Sequence, residues 1–220
     1  MKDIACRRGR KVVEKWVAQG EHSQQDFKYT ISDARKIARS VSAFANAEGG
    51  RLLIGVKDNG VVAGVRNEED IYVVEQAAQR YCSPAVEVSF TAYSYDTNVM
   101  VICADIPAVE QRPVEVLEAD GTRRAYYRVA DENIVAHPLM VRAWQCDEPL
   151  SLTADSAVPR LLQLVEQHPD GLDPRQVPIA LHISTPRAER LIVQLAAAGL
   201  LTFAHRRQGF QLTLPTPHAL

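Results

Sequence analysis

SAFANAEGGRLLIGVKDNG, Ser42 to Gly60, holds a helix end, a glycine stop, a buried strand and a tight turn in one short run. Upstream and within it, Ile37, Val41, Phe44 and Ala45 recur at i, i+4, i+7 and i+8, which predicts a helix with one buried face. Glu48-Gly49-Gly50 should end that helix, because glycine takes a positive φ without a Cβ clash and leaves backbone N–H groups open. Arg51 to Val56 then reads as a buried strand on its Leu-Leu-Ile-Gly-Val content. Lys57-Asp58-Asn59-Gly60 should turn the chain, since Asn-Gly favours type I′ geometry, with Val61 to Val65 as the partner strand.

Toward the N-terminus, a first helix is expected from Arg10 to Ala18, ending at Gly20, with Val12, Val13, Trp16 and Val17 on one side. Asp26 to Ile31 alternates, predicting a half-buried strand with Phe27, Tyr29 and Ile31 inward. Ser32 reads as the N-cap of the next helix, with Asp33 in its first turn. Toward the C-terminus, a helix from Glu68 to Tyr81 precedes strands at Val86–Tyr95 and Val99–Ile106, separated by Asp96-Thr97-Asn98. A β pair from Pro113 to Val129 turns at Asp120-Gly121, and a short helix at Pro138–Trp144 closes the region. Strand pairs with irregularly spaced helices predict an α+β fold, not a βαβ repeat.

Residues 1–148 are therefore expected as one α+β domain, 149–155 as a polar linker and 156–220 as a second, small domain. The second holds helices at Ser156–Gln167 and Pro174–Leu181, and a third starting at Thr185-Pro186, an N-cap with Pro at N1. A turn at His205–Gly209 joins Leu200–Ala204 to Phe210–Leu214. Three helices and a hairpin of this size predict a winged helix.

The 220 residues are 46% hydrophobic, enough for a globular core, and contain no apolar run of membrane-spanning length. The N-terminus lacks the apolar stretch of a secretory signal. Cys6, Cys82, Cys103 and Cys146 show no CxxC pairing, which argues against zinc or a disulfide framework and fits a reducing cytoplasm. The net charge of −2 hides an asymmetry: residues 1–40 carry ten Lys/Arg against five Asp/Glu, whereas residues 41–150 carry nine against seventeen. A basic N-terminal segment suits phosphate.

The run from Ser42 to Val65 resembles the Schlafen AlbA-type domain, also described in bacteria as a divergent AAA domain. The family pattern is Glu-x4-Glu-Phe-Lys, then Ala-Phe-Ala-Asn-x-x-Gly-Gly, then Ile-Gly-Val-x-Asp. Glu21 with Asp26-Phe27-Lys28, Ala43–Gly50 and Ile54–Asp58 stand at those elements. Arg112-Pro113, Tyr127-Arg128-Val129 and Asn133 resemble its later signature, so the likeness covers about residues 10–145. The opening segment resembles a subgroup from bacteria related to Bacteroides.

The resemblance implies nucleic acid, DNA or RNA, as partner, with three chemical outcomes to weigh. Glu21, Asp26 and Asp58 match positions that bind divalent metal in the ribonuclease members, where converging carboxylates activate water. Asp26 shortens the usual Glu, and Lys57 stands where an acid is common; the alternative pairs Asp26 with Lys28 or Arg51 and leaves Asp58 to the turn. ATP chemistry would need Gly-x4-Gly-Lys-Ser/Thr, which is absent, although Gly49-Gly50 could form an anion nest. Non-catalytic binding would use Lys28, Arg35, Lys36, Arg39, Arg51 and Lys57, widened by Arg123, Arg124 and Arg128.

In the winged helix, Arg187, Arg190 and Gln194 should face outward for base edges, with Arg206 and Arg207 at the wing tip for phosphate. The six histidines lack metal spacing, and Ser42 and Cys82 have no evident catalytic partner. The favoured expectation is a regulatory nucleic-acid-binding protein with no cofactor. A metal-dependent ribonuclease and a scaffold that pairs two copies through the Arg187/Arg190 face are the rivals.

Overall fold

The computed structural model describes residues 4–66, 69–147, 157–207 and 209–215. The chain divides into two compact units, Met1–Ala136 and His137–Leu220. The expected linker at 149–155 lies outside the described residues.

In the first unit β1 (Ala5–Arg8), α1 (Arg10–Gln19), β2 (Gln25–Lys28), α2 (Ala34–Ala45) and β3 (Gly50–Ile54) come first. They are followed by α3 (Glu69–Gln76), with a π turn at Ala77–Tyr81, then β4 (Cys82–Ser83), β5 (Ser89–Asp96) and β6 (Val99–Ile106). The unit ends with β7 (Glu115–Leu117), β8 (Arg123–Val129) and β9 (Glu132–Val135). A five-stranded sheet has the order β1-β5-β6-β3-β2, and a four-stranded sheet has β4-β7-β8-β9. The first is mixed: β1 runs parallel to β5 and β2 to β3, while β6 is antiparallel to both β5 and β3. The expected α+β class is the one observed.

Both faces of the mixed sheet are covered. Leu52 and Ile54 of β3 join Ile37, Val41 and Phe44 of α2 on one side, and Leu53 joins Val13 of α1 and Phe27 of β2 on the other. This corrects the reading of β2 as a half-buried strand: Gln25, Asp26 and Phe27 are all buried, so polar residues lie inside on both faces. Tyr29 falls beyond the strand and is only half-buried.

Helix α2 lies against the second sheet as well as the first, which is why its face carries Ser and Ala and not only large side chains. Ser42 Oγ donates to Val114 O at 2.7 Å and accepts from Tyr126 N at 3.0 Å. Asn46, with no exposed surface, donates to Val114 O and Tyr126 O at 2.9 Å each and accepts from Val114 N at 2.7 Å. The N-cap is Asp33, not Ser32: its carboxylate accepts from Arg35 N and Lys36 N. Such a cap contributes about 1 kcal/mol.

Val61 to Val65 does not form the expected partner strand. Val56 and Val62 make a single bridge, and Ala63 N and Gly64 N both donate to Gly55 O at 2.9 Å. Gly55 has φ +97°, and a Cβ there would lie 2.7 Å from Val65 N, so the close approach excludes a side chain.

The second unit contains α4 (Pro138–Trp144), α5 (Ala157–Glu166), a 3-10 turn at Pro174–Gln176, α6 (Val177–Leu181) and α7 (Thr185–Ala197). A hairpin of β10 (Thr202–Arg206) and β11 (Gly209–Thr213) completes it. Helix α4, expected to close the first domain, groups with the second unit and packs on α7. The N-cap of α7 is Ser184, not Thr185, and His205 lies within β10 instead of the turn. No helix among the described residues is long and apolar enough to cross a membrane.

Candidate nucleic-acid interface

Four of the expected residues meet at β2 and β8. The Glu21 carboxylate, in the loop after α1, accepts from Phe27 N at 2.8 Å and faces Asp26. Burial, then the hydrogen bond that its protonated form donates to the neighbouring Asp26 carboxylate, pushes the Glu21 carboxyl up to about 7. Asp26 is 5% exposed; its Oδ2 lies 2.8 Å from Lys28 Nζ and its Oδ1 3.8 Å from Arg128. Lys28 is thus an ion-pair partner that also donates to Phe27 O at 2.8 Å.

Arg128 is 4% exposed and does not widen a surface patch. Its guanidinium donates to Asn133 Oδ1 at 2.9 Å and to the carbonyls of Gln25 (3.2 Å) and His22 (3.3 Å), and it lies 4.8 Å over the Phe44 ring. Asn133 in turn donates to Ser40 Oγ at 3.0 Å. Arg128 therefore ties β8 to β2 and α2.

The metal expectation fails a fit test. Among the described residues no group of three His, Cys, Asp or Glu side chains is placed to hold a metal ion. Asp58 sits exposed in the turn, and the cation nearest Asp26 is Lys28, which a divalent ion would have to displace. Nor does Gly49 offer an open nest: its N–H donates to Phe44 O at 2.9 Å, as in a helix C-terminus.

The remaining cations of the first unit are dispersed. Arg39 makes a bidentate pair with Glu118, Nε–Oε1 3.0 Å and Nη2–Oε2 2.6 Å. Glu118 is 5% exposed and also accepts from the Tyr126 hydroxyl, so Arg39 is spent on an internal carboxylate. Arg39, with Tyr126 second, holds Glu118 below its ordinary value, and burial pushes the Tyr126 hydroxyl up to about 12. Arg35 lies 4.9 Å over Tyr81, and Arg51 4.8 Å over Trp16. Lys36 is exposed on α2.

Lys57 stands at a site with partners that sequence reading did not supply. Its Nζ lies 5.1 Å from the centroid of the Tyr29 ring, and the guanidinium of Arg66 lies 5.1 Å from the same centroid. Arg66 Nη2 also donates to the Tyr29 hydroxyl at 3.0 Å. In the second unit Arg187 and Arg190 are exposed on α7, over a buried face of Ala188, Leu191, Ile192 and Leu195. Arg206 and Arg207 are exposed at the end of the hairpin, beside Asp170, Gly171 and Gln211.

A family model described as Schlafen, AlbA_2 matches residues 21–137. No curated protein matches the chain. Among solved structures, the DIP2311 protein from Corynebacterium diphtheriae is similar at 18% identity and TM-score 0.45, over 90% of this chain and 37% of that one. The N-terminal domain of a DNA helicase RecG-related protein from Nitrosomonas europaea is similar at 18% identity and TM-score 0.41, over 60% of this chain and 96% of that one. The chain thus spans well under half of the DIP2311 protein.

Proposed function

The chain belongs to the Schlafen AlbA_2 family, and from that premise we propose that it is a nucleic-acid-binding protein of regulatory type whose second unit is a winged helix. One observation carries the reading: α7 presents Arg187 and Arg190 at i, i+3 on an exposed face, and the following hairpin ends in Arg206 and Arg207. A helix with outward arginines suits a major groove, and a basic hairpin end suits the flanking backbone. Family membership adds to this, and so does the excess of Lys and Arg in residues 1–40. The carboxylate pair at Glu21 and Asp26 is taken up by Lys28 and Phe27 N–H, so it enters the reading as structure and not as a metal centre.

The test is fluorescence anisotropy of the full chain on a labelled duplex across a salt series. The logarithm of affinity should fall linearly with the logarithm of salt concentration, at about 0.9 per neutralised phosphate. Replacing Arg187, Arg190, Arg206 and Arg207 by Ala should flatten the slope by about 2 to 4. An unchanged slope would remove the winged-helix reading.

A further inference from the structure

We propose that Tyr29, Lys57 and Arg66 form a binding site for single-stranded nucleic acid in the first unit, with the two cations on a backbone phosphate and the Tyr29 ring against an adjoining base. The inference deepens the nucleic-acid reading and rests on it, but it uses a different unit and a different form of the ligand.

The backbone delivers all three side chains to one place. Tyr29 follows the last residue of β2, and Lys57 follows β3, its parallel neighbour. Gly55 N donates to Lys28 O at 2.8 Å, which joins the two strand ends. Lys57 N donates to Val61 O at 3.0 Å and closes the turn. Gly55 O then takes Ala63 N and Gly64 N, and Val65 N donates to Met100 O at 2.8 Å, so the segment that ends in Arg66 is pinned before it reaches the ring.

The electrostatics of the cluster call for an anion. Lys57 and Arg66 are both exposed and are held against one ring, each 5.1 Å from its centroid. Among the described residues neither forms an ion pair, whereas Arg10, Lys28, Arg39, Arg124, Arg142 and Arg175 all do. Two like charges held near one aromatic ring repel, and an anion that contacts both offsets that repulsion. The hydroxyl of Tyr29, accepting from Arg66 Nε at 3.3 Å and Nη2 at 3.0 Å, holds the guanidinium at the hydroxyl end of the ring. An aromatic ring or guanidinium plane at a surface stacks an unpaired base, which a duplex does not offer.

The experiment measures anisotropy of the full chain on labelled dT20 and on a 20-base-pair duplex over a salt series, for wild type, K57A/R66A, R66K and R187A/R190A. Both cations are exposed, and melting curves check that the variants fold. On dT20, K57A/R66A should lower the salt slope by about 1.4, two phosphate contacts at about 0.7 each. R66K should keep the slope and lose roughly ten-fold in affinity, because the charge stays and the planar fork that anchors on the Tyr29 hydroxyl and suits phosphate goes. The duplex should respond to R187A/R190A and not to K57A/R66A. An unchanged dT20 slope in K57A/R66A, or an equal loss on duplex, overturns the site while leaving the winged-helix reading in place. If the wild-type chain binds neither ligand at low salt, both readings fall together.

Discussion

Glu21 holds its proton well above the ordinary carboxylate range. Its carboxyl is pushed up from 4.5 to about 7 by burial and by Asp26, against the stabilising Phe27 N–H and the charge of Lys28. Between those two values the folded chain holds a proton that the unfolded chain has released. Stability from this group therefore falls as pH rises from about 4.5 through 7, the reverse of a carboxylate held low by a cation. Discounted for the solvent that reaches the pair, the effect is on the order of 1 kcal/mol. E21Q keeps an oxygen for Phe27 N–H and removes the proton equilibrium. Thermal melts at pH 5, 6, 7 and 8 should show the wild type losing stability up the series relative to E21Q; parallel curves would remove the assignment. Asp26 was read in sequence as a metal ligand or a partner of Lys28, and the 2.8 Å contact selects the second. Arg128 and Arg39 read as surface charge because one-dimensional sequence does not show that Arg128 reaches the Gln25 carbonyl of β2, or that Arg39 pairs with Glu118, 79 residues away.

At the scale of the element, α2 carries the fold. Its hydrophobic period was legible, since Ile37, Val41 and Phe44 follow the helical repeat and all are buried. The reason for Asn46 was not, because its partners lie 68 and 80 residues away in sequence. Asn is suited to this place: its amide donates to the carbonyls of Val114 and Tyr126 while its oxygen accepts from Val114 N. N46A would leave Val114 N and Tyr126 O buried without the Asn46 amide, while Val114 O keeps Ser42 Oγ, at about 3 kcal/mol. N46D preserves shape and the acceptor but loses both donors, so it should destabilise nearly as much. Urea denaturation of the two variants checks this; a stable N46D would mean that the acceptor alone suffices. The turn at Lys57 was legible from Asn-Gly, but the absent partner strand was not. Gly55 and Gly64 approach each other, and that contact depends on φ +97° and φ +79°, which hydrophobic pattern does not report. Separation in sequence also hid Arg66 from Tyr29, 37 residues earlier.

For the whole molecule, α4 decides where one unit ends and the other begins. Sequence reading put it at 149–155, because that stretch is polar and without period. The contacts divide the chain at Ala136 and His137 instead, which moves α4 from the first unit to the second. The chemistry of α4 supports the move. His137 caps it, with Nδ1 accepting from Leu139 N at 3.2 Å, and stacks 5.8 Å from the Phe203 ring of β10. Leu139, Met140 and Ala143 are buried, and Arg142 pairs with Glu189 of α7 at 2.7 Å. Exposing two large apolar side chains costs about 1.5–3 kcal/mol each, a large share of the stability of a unit of this size. A fragment of residues 137–220 should therefore unfold in one cooperative transition, and a fragment of residues 149–220, lacking α4, should melt at a lower temperature by ten degrees or more, on the order of 4–8 °C per kcal/mol. Circular dichroism melts of the two fragments decide it. Equal melting temperatures would place α4 with the first unit and restore the boundary read from sequence. A higher one for residues 137–220 makes the helix part of the scaffold that holds α7 and its arginines in position.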